Sequence, residues 1–421
     1  MTPAAWTSLF TAPLAGADPA IADLIEQQRR DNAAAVNLVA SESYCPRATL
    51  EAEACVLINK NASGYPPRVS FAGGEIMDAI ERLAIERAKT LFGAEHANVQ
   101  SLSSTIANVA VLRGLLRPGE RILAFDRAAG GHSSHGGRSH VSGQDYVVES
   151  FGVDAQTGMV DYDAAHAHAR SFRPRMIVAG SSAYPRRIDF DRLHAIAQDV
   201  GALLFADIAH VAGLIIAGLH PNPTPCADVV TTSTHKTFCG PRTGGLILCQ
   251  SRHAQAIDAA LAPGLQAAPG GHIIAARAVL FERVTRPPFR LLMQNVVDGA
   301  AALARGIERG GVPLFAGGTD THMVVADLRR SEWAEAEVNA HLARHGILGN
   351  TTTLPGRPGD RSRLGLRLGS TPMSIRGLPA AGFEALGAAV AALLRGRPGT
   401  VDAGIERASQ ALAREHPIPF D

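Results

Sequence analysis

Lysine is nearly absent from this 421-residue chain. Of its 40 basic residues only Lys60, Lys89 and Lys236 are lysine; the other 37 are arginine. Alanine and glycine are abundant as well, so coding composition accounts for the bias. The scarcity still matters, because chemistry that needs a deprotonatable amine has three positions to choose from and a guanidinium cannot substitute there. Net charge is equally scarce. Forty Lys+Arg against 39 Asp+Glu leaves +1, which argues against a nucleic-acid binder. The five cysteines (Cys45, Cys55, Cys226, Cys239, Cys249) form no CxxC or Cys/His metal spacing. They argue against a disulfide framework and point to a reducing cytoplasm. Long apolar runs are missing too: the longest, residues 202–206 and 211–218, fall far short of the ~20 residues of a membrane span. The N-terminal stretch lacks a basic n-region and carries Asp18 where an apolar run would have to continue, so no signal-peptide pattern is expected.

What is present is an alternation. From about residue 75 to 249, segments of helical period (76–91, 105–115, 162–170, 191–200) alternate with short apolar runs (121–125, 146–148, 176–179, 203–206, 229–232, 245–248). Such runs between helices predict an α/β architecture, a mostly parallel sheet covered on both faces. After Pro263 a loop rich in Gly, Pro and Ala leads to long helical segments at 273–283 and 288–309. A strand (322–328), a helix (332–345), a strand (364–368) and two terminal helices follow, which predicts a smaller α+β domain. The expected division is an N-terminal arm (1–35), a large domain (36–284) and a small C-terminal domain (285–421).

Four features could carry chemistry. Lys89 follows Glu86 by three residues on an amphipathic helix and reads as a solvated face. Lys236 instead follows the run Val229–Ser233 and precedes Gly240-Pro241, where α/β sheets place ligands. It is a candidate Schiff-base lysine or an ordinary loop lysine. Asp207 ends an apolar run about thirty residues earlier. It is either a helix N-cap or the acidic partner of a pyridinium nitrogen. Ser103, Ser104 and Thr105 open a helix after a short strand, offering capping hydroxyls or an anion site for phosphate. The glycine loop Gly130-Gly131-His132-Ser133-Ser134-His135-Gly136-Gly137 has no carboxylate or cysteine at metal spacing, which leaves ring stacking, acid/base work or structure. In chain order these features read as phosphate loop, histidine loop, aspartate and lysine, and together they suggest pyridoxal phosphate (PLP) chemistry.

With these residues in place, the chain resembles the serine hydroxymethyltransferases, PLP enzymes of the aspartate-aminotransferase fold (fold type I), from about residue 37 to 414. The carriers are Leu38-Val39-Ala40-Ser41-Glu42-Ser43, Leu91-Phe92-Gly93-Ala94-Glu95-His96, Gly130-Gly131-His132, Ser182-Ala183-Tyr184-Pro185, Asp207-Ile208-Ala209-His210 and Thr234-His235-Lys236-Thr237. The resemblance implies a seven-stranded-type sheet, with Lys236 carrying the cofactor and Asp207 on its pyridine nitrogen. It further implies His132 stacked on the ring, and His210 and Ser182 near the phenolic oxygen. Ser103, Ser104, Thr105 and His235 would hold the phosphate, and Ser41 and Arg367 the substrate carboxylate. It also implies a homodimer or tetramer whose active site lies between subunits, with residues 61–71 and 266–271 reaching a neighbour.

The departures from the family pattern are concentrated. The family's Tyr-Ala-Glu-Gly-Tyr-Pro reads Asn61-Ala62-Ser63-Gly64-Tyr65-Pro66, so the glutamate that handles protons beside folate becomes Ser63. Its adjacent tyrosines fall on Ser70 and Phe71, its Gln-Gly-Gly reads Gln266-Ala267-Ala268, and its asparagine-rich folate loop reads Asn350-Thr351-Thr352-Thr353. Ser63 and Phe71 are therefore candidate substrate-side residues, with His132, His135 or a water as the base. The reading leans to an aldolase or transaldolase of a threonine-like or α-methylserine-like amino acid that does not use tetrahydrofolate. The alternatives are a folate-dependent serine/glycine hydroxymethyltransferase and a PLP-binding homologue with little catalysis. No metal, nucleic acid or membrane partner is expected.

Overall fold

The computed structural model describes residues 4–68, 72–242 and 244–420. Its central sheet has seven strands: β1 (His96–Asn98), β2 (Arg121–Phe125), β3 (Val147–Phe151), β4 (Met176–Gly180), β5 (Leu203–Asp207), β6 (Val229–Ser233) and β7 (Gly245–Cys249). They lie in the order β1, β7, β6, β5, β4, β2, β3. β7 runs antiparallel to both neighbours and every other pair is parallel. Successive residues of a strand point to opposite faces, and both faces are covered. Leu123, Ile177 and Leu248 join one apolar cluster, whereas Ile122, Ala124, Val178 and Ile247 join another on the opposite side. That double cover is why β4, β6 and β7 are buried at every position.

The helices start and stop where local chemistry directs. The helix Glu75–Phe92 has Glu75 and Asp78 in its first turn and Lys89 in its last, and Gly93 ends it at φ 69°. Asp189 caps Phe190–Val200, which closes on Gly201 at φ 68°. As expected for a solvated face, Lys89 Nζ lies 3.1 Å from Glu86. The expected helices and strands are present, shifted by a few residues at their ends.

The C-terminal part carries a second core around a three-stranded antiparallel sheet, β8 (Met323–Asp327), β9 (Asn350–Thr353) and β10 (Leu364–Gly369), with β10 central. β9 went unrecognised as a strand: its Asn-Thr-Thr-Thr sequence has no apolar alternation, and it is held by pairing with β10. Val36 and Asn37 pair in parallel with Ile347 and Leu348, and Val36 and Leu38 pack in this second core. The N-terminal helix Pro19–Ala34 buries no residue and exposes Ile21, Leu24 and Ile25.

Candidate functional site

Parallel strands present their C-terminal ends at one edge of a sheet, where α/β proteins gather ligand-binding groups. Here Asp207 ends β5, Lys236 follows β6 by three residues, and Ser182 follows β4 by two. The helix after β1 begins at Ser104, and the loop after β2 holds His132.

Asp207 is buried and fully organised. Its Oδ2 accepts hydrogen bonds from Asn108 Nδ2 (2.8 Å) and pairs with His135 Nε2 (2.9 Å), while Oδ1 accepts the Ala209 N–H at 3.0 Å. Thr231 Oγ1 donates to Asn108 Oδ1 at 2.6 Å, which fixes the amide's orientation. Burial alone would raise the Asp207 carboxyl, but the His135 hydrogen bond and the positive charge around it hold it well below the usual carboxylate range. The result is a fixed anion at the floor of the site, with Oδ1 still able to accept another N–H. Asp207 is not a helix cap; no helix starts there.

The histidine loop folds over this floor. Gly130 adopts φ 113°, and a Cβ there would sit 2.7 Å from the Ala183 and Tyr184 backbone, so only glycine lets the two loops meet. His132 Nδ1 accepts the Ser134 N–H (3.2 Å) and lies 2.7 Å from Ser134 Oγ. Burial pushes His132 down to about 4, so its ring is neutral at pH 7. With Nδ1 accepting, its proton is on Nε2.

Lys236 is half-buried, and its Nζ makes no hydrogen bond among the described residues. Burial is the main reason its amine is pushed down to about 8; Arg367 and Arg242 act in the same direction and Asp207 opposes them. A lysine tuned in this way is partly neutral near physiological pH, as an amine nucleophile requires. Lys60 Nζ instead contacts the Ala72 carbonyl at the surface, 3.3 Å away.

At the start of the helix Ser104–Leu115, Ser103 Oγ caps the Ile106 N–H at 3.1 Å. The capping reading of this serine is therefore correct. The Ser104 and Thr105 N–H groups lie in the unpaired first turn, where an anion is stabilised. Arg277, fully buried, ties the approach to this turn by donating to the carbonyls of Val99 and Ser101.

Arg367 in β10 meets the large sheet across the site. It donates to the Ser182 carbonyl from Nη1 and to Asn350 Oδ1 from Nε (3.2 Å) and Nη2 (3.0 Å). Of five N–H groups, this leaves one on each Nη, and no carboxylate pairs with the guanidinium among the described residues. Burial lowers Arg367 to about 10. Ser41 lies on a turn with Ala40, which packs against Gly369 at the end of β10. Ser182 Oγ is 3.4 Å from the Gly130 carbonyl.

The remaining candidate residues are not joined to this set by hydrogen bonds among the described residues. The His235 carbonyl accepts Ser43 Oγ at 2.8 Å, and its ring lines a cavity with Asn37, Glu42, Glu53 and Arg242. No hydrogen bond joins it to Ser103, Ser104 or Thr105 among the described residues. Ser63 and Asn61 are exposed in the single chain. Phe71, with Ser70, lies outside the described residues. The sequence reading did not single out Asn108 or His322, named Asn350 only in the folate-loop segment and not beside Arg367, and gave His135 no place beside Asp207. Asn108 lies one turn beyond the phosphate-loop residues, which is the one local signal that could have found it.

The set fits PLP. An anionic acceptor, a lowered and unpartnered amine, unpaired helix N–H groups and a guanidinium with two spare donors converge at one sheet edge. Among the described residues no cluster of His, Cys, Asp or Glu is arranged to hold a metal, and no helix is long and apolar enough to cross a membrane. The family model for serine hydroxymethyltransferase matches residues 14–390. The chain belongs to the serine hydroxymethyltransferase family of PLP-dependent enzymes.

Proposed function

We propose that this family member makes or breaks the Cα–Cβ bond of a β-hydroxy-α-amino acid without folate, as an aldolase or transaldolase acting on a threonine-like or α-methylserine-like substrate. The observation that carries the reading is a contrast. The Asp207–His135–Asn108 floor, Lys236 and Arg367 are complete, whereas the family's folate-side glutamate is the exposed Ser63.

Lys236 would hold the cofactor, Asp207 its ring nitrogen, His132 its face, His210 and Ser182 the phenolic-oxygen side, and the Ser103–Thr105 turn with His235 the phosphate. Bound there, PLP supplies a protonated ring that accepts the electron pair released at Cα. Arg367 would receive the substrate carboxylate end-on through its two spare N–H groups, with Ser41 alongside, which orients the Cα–Cβ bond. Asp207, held as an anion by its hydrogen bond to His135, would keep a proton on the cofactor's ring nitrogen. His135 gives Nε2 to Asp207 and its Nδ1 is buried, while His132 Nδ1 already accepts the Ser134 N–H, so neither ring offers a free and accessible acceptor for the β-hydroxyl proton. That favours a water as the base. A second copy of the chain would bring residues 61–71 and 266–271 to the site, and the strongly exposed Val56, Ile58 and Ile76 support such an interface.

The test is a substrate screen with and without tetrahydrofolate, following aldehyde together with glycine or alanine. Release from threonine, phenylserine or α-methylserine without folate is expected. A strict folate requirement with serine would overturn the reading in favour of a hydroxymethyltransferase. Bound PLP with no turnover would overturn it in favour of a non-catalytic homologue.

A further inference from the structure

A second histidine stands behind His210. His322 is fully buried just before β8, and its ring stacks on that of His210 with centroids 5.4 Å apart and planes inclined by 23°. Its Nε2 lies 3.1 Å from the Ala40 carbonyl oxygen and 3.3 Å from His210 Nδ1. A carbonyl oxygen only accepts, so the bond to Ala40 requires the proton on His322 Nε2. The other nitrogen, Nδ1, is buried without a partner. A bare acceptor is more easily tolerated there than an orphaned N–H. Both arguments give the same tautomer.

A protonated Nε2 has no in-plane lone pair to offer. The 3.3 Å contact is then a hydrogen bond only if His210 Nδ1 accepts, which places the single proton of a neutral His210 on its own Nε2. Neutrality is secured by surroundings. Burial lowers His210 far below its usual range and His322 to about 3. The groups that face the pair, Lys236, Arg367, His132 and His220, reinforce the shift. His210 Nε2 has no hydrogen-bond partner among the described residues.

We infer that His322 is a positioning residue: its Nε2–H fixes His210 as an Nε2–H donor toward the cofactor's phenolic oxygen and ties the turn carrying Ser41 to the same ring pair. The inference rests on the proposed cofactor site, but its first test does not need the cofactor. Long-range 1H–15N correlation spectra of the full chain labelled with 15N-histidine, recorded with and without PLP, read the tautomer directly. His210 is identified by its loss in His210→Gln. A protonated Nε2 and a bare Nδ1 are expected. In His322→Phe, which keeps the stack but not the donor, this pattern is lost and PLP affinity falls about tenfold. In His322→Gln, whose amide can donate to both Ala40 and His210, both return. A proton on His210 Nδ1 in the wild type, or an unchanged pattern in a folded His322→Phe, overturns the inference. Should His322→Phe fail to fold, the wild-type and His322→Gln spectra decide. The expected tautomer without any PLP binding would contradict the site reading and not the histidine assignment.

Discussion

The floor of the site and its outer rim are built in opposite ways. Both carboxylate oxygens of Asp207 and the Asn108 amide that meets them have partners inside one chain, drawn from the turn after β5, from β6, from the helix after β1 and from the loop after β2. In the segment proposed for the rim, Asn61, Ser63 and Gly64 are exposed while Ala62 is buried, and among the described residues its hydrogen bonds run from the Tyr65 hydroxyl and the Gly64 carbonyl to Asn98, Asp258 and Gln100. A buried polar network admits few substitutions, because removing one member strands the others without water. An exposed segment can exchange Glu for Ser at little cost in stability. The contrast teaches where function within one fold can change: under the proposed reading the floor would fix the cofactor chemistry, and the rim would set what happens to the released fragment.

The largest effect should follow from breaking the floor at its nucleophile. Lys236→Ala should abolish the cofactor's visible absorbance band and lower turnover by at least about a thousandfold; absorbance and aldehyde release check both. Asp207→Asn keeps the shape but removes the charge, and should lower kcat by about a hundredfold with little change in substrate KM. Arg367→Lys removes the fork that Asn350 and Ser182 orient. It should raise KM for carboxylate-bearing substrates by about tenfold or more while the cofactor band persists. The pH dependence is milder. With Lys236 at about 8, its amine is protonated below that pH, so the rate of PLP uptake by the cofactor-free chain should fall about tenfold per unit below pH 8 and level off above it. Stopped-flow absorbance measures this. The smallest effect belongs to the rim: Ser63→Glu should change folate-independent cleavage by less than about tenfold and leave thermal stability within about 0.5 kcal/mol. A large loss of stability in that variant would mean that the rim is as constrained as the floor.

The alternation between residues 75 and 249 made the sheet legible, because parallel strands buried on both faces must be short and apolar. Lys236 and Asp207 were legible because they punctuate such runs. The partners of Asp207 were not. Asn108 lies mid-helix and His135 in a loop, and only the packing of four elements brings them to one carboxylate. Asn350 was hidden because the strand that sets it opposite Arg367 shows no apolar alternation, and His322 because it acts on His210, more than a hundred residues away in the chain. Ser63 was visible as a departure from a family pattern, and it lies exposed in the single chain.

The scarcity of lysine makes one measurement decisive. Borohydride reduction of the protein in the presence of PLP, followed by peptide mapping, has three lysines to distinguish. The account predicts the pyridoxyl mass on the peptide containing Lys236. The mass on Lys60 or Lys89, or on no peptide, would contradict it.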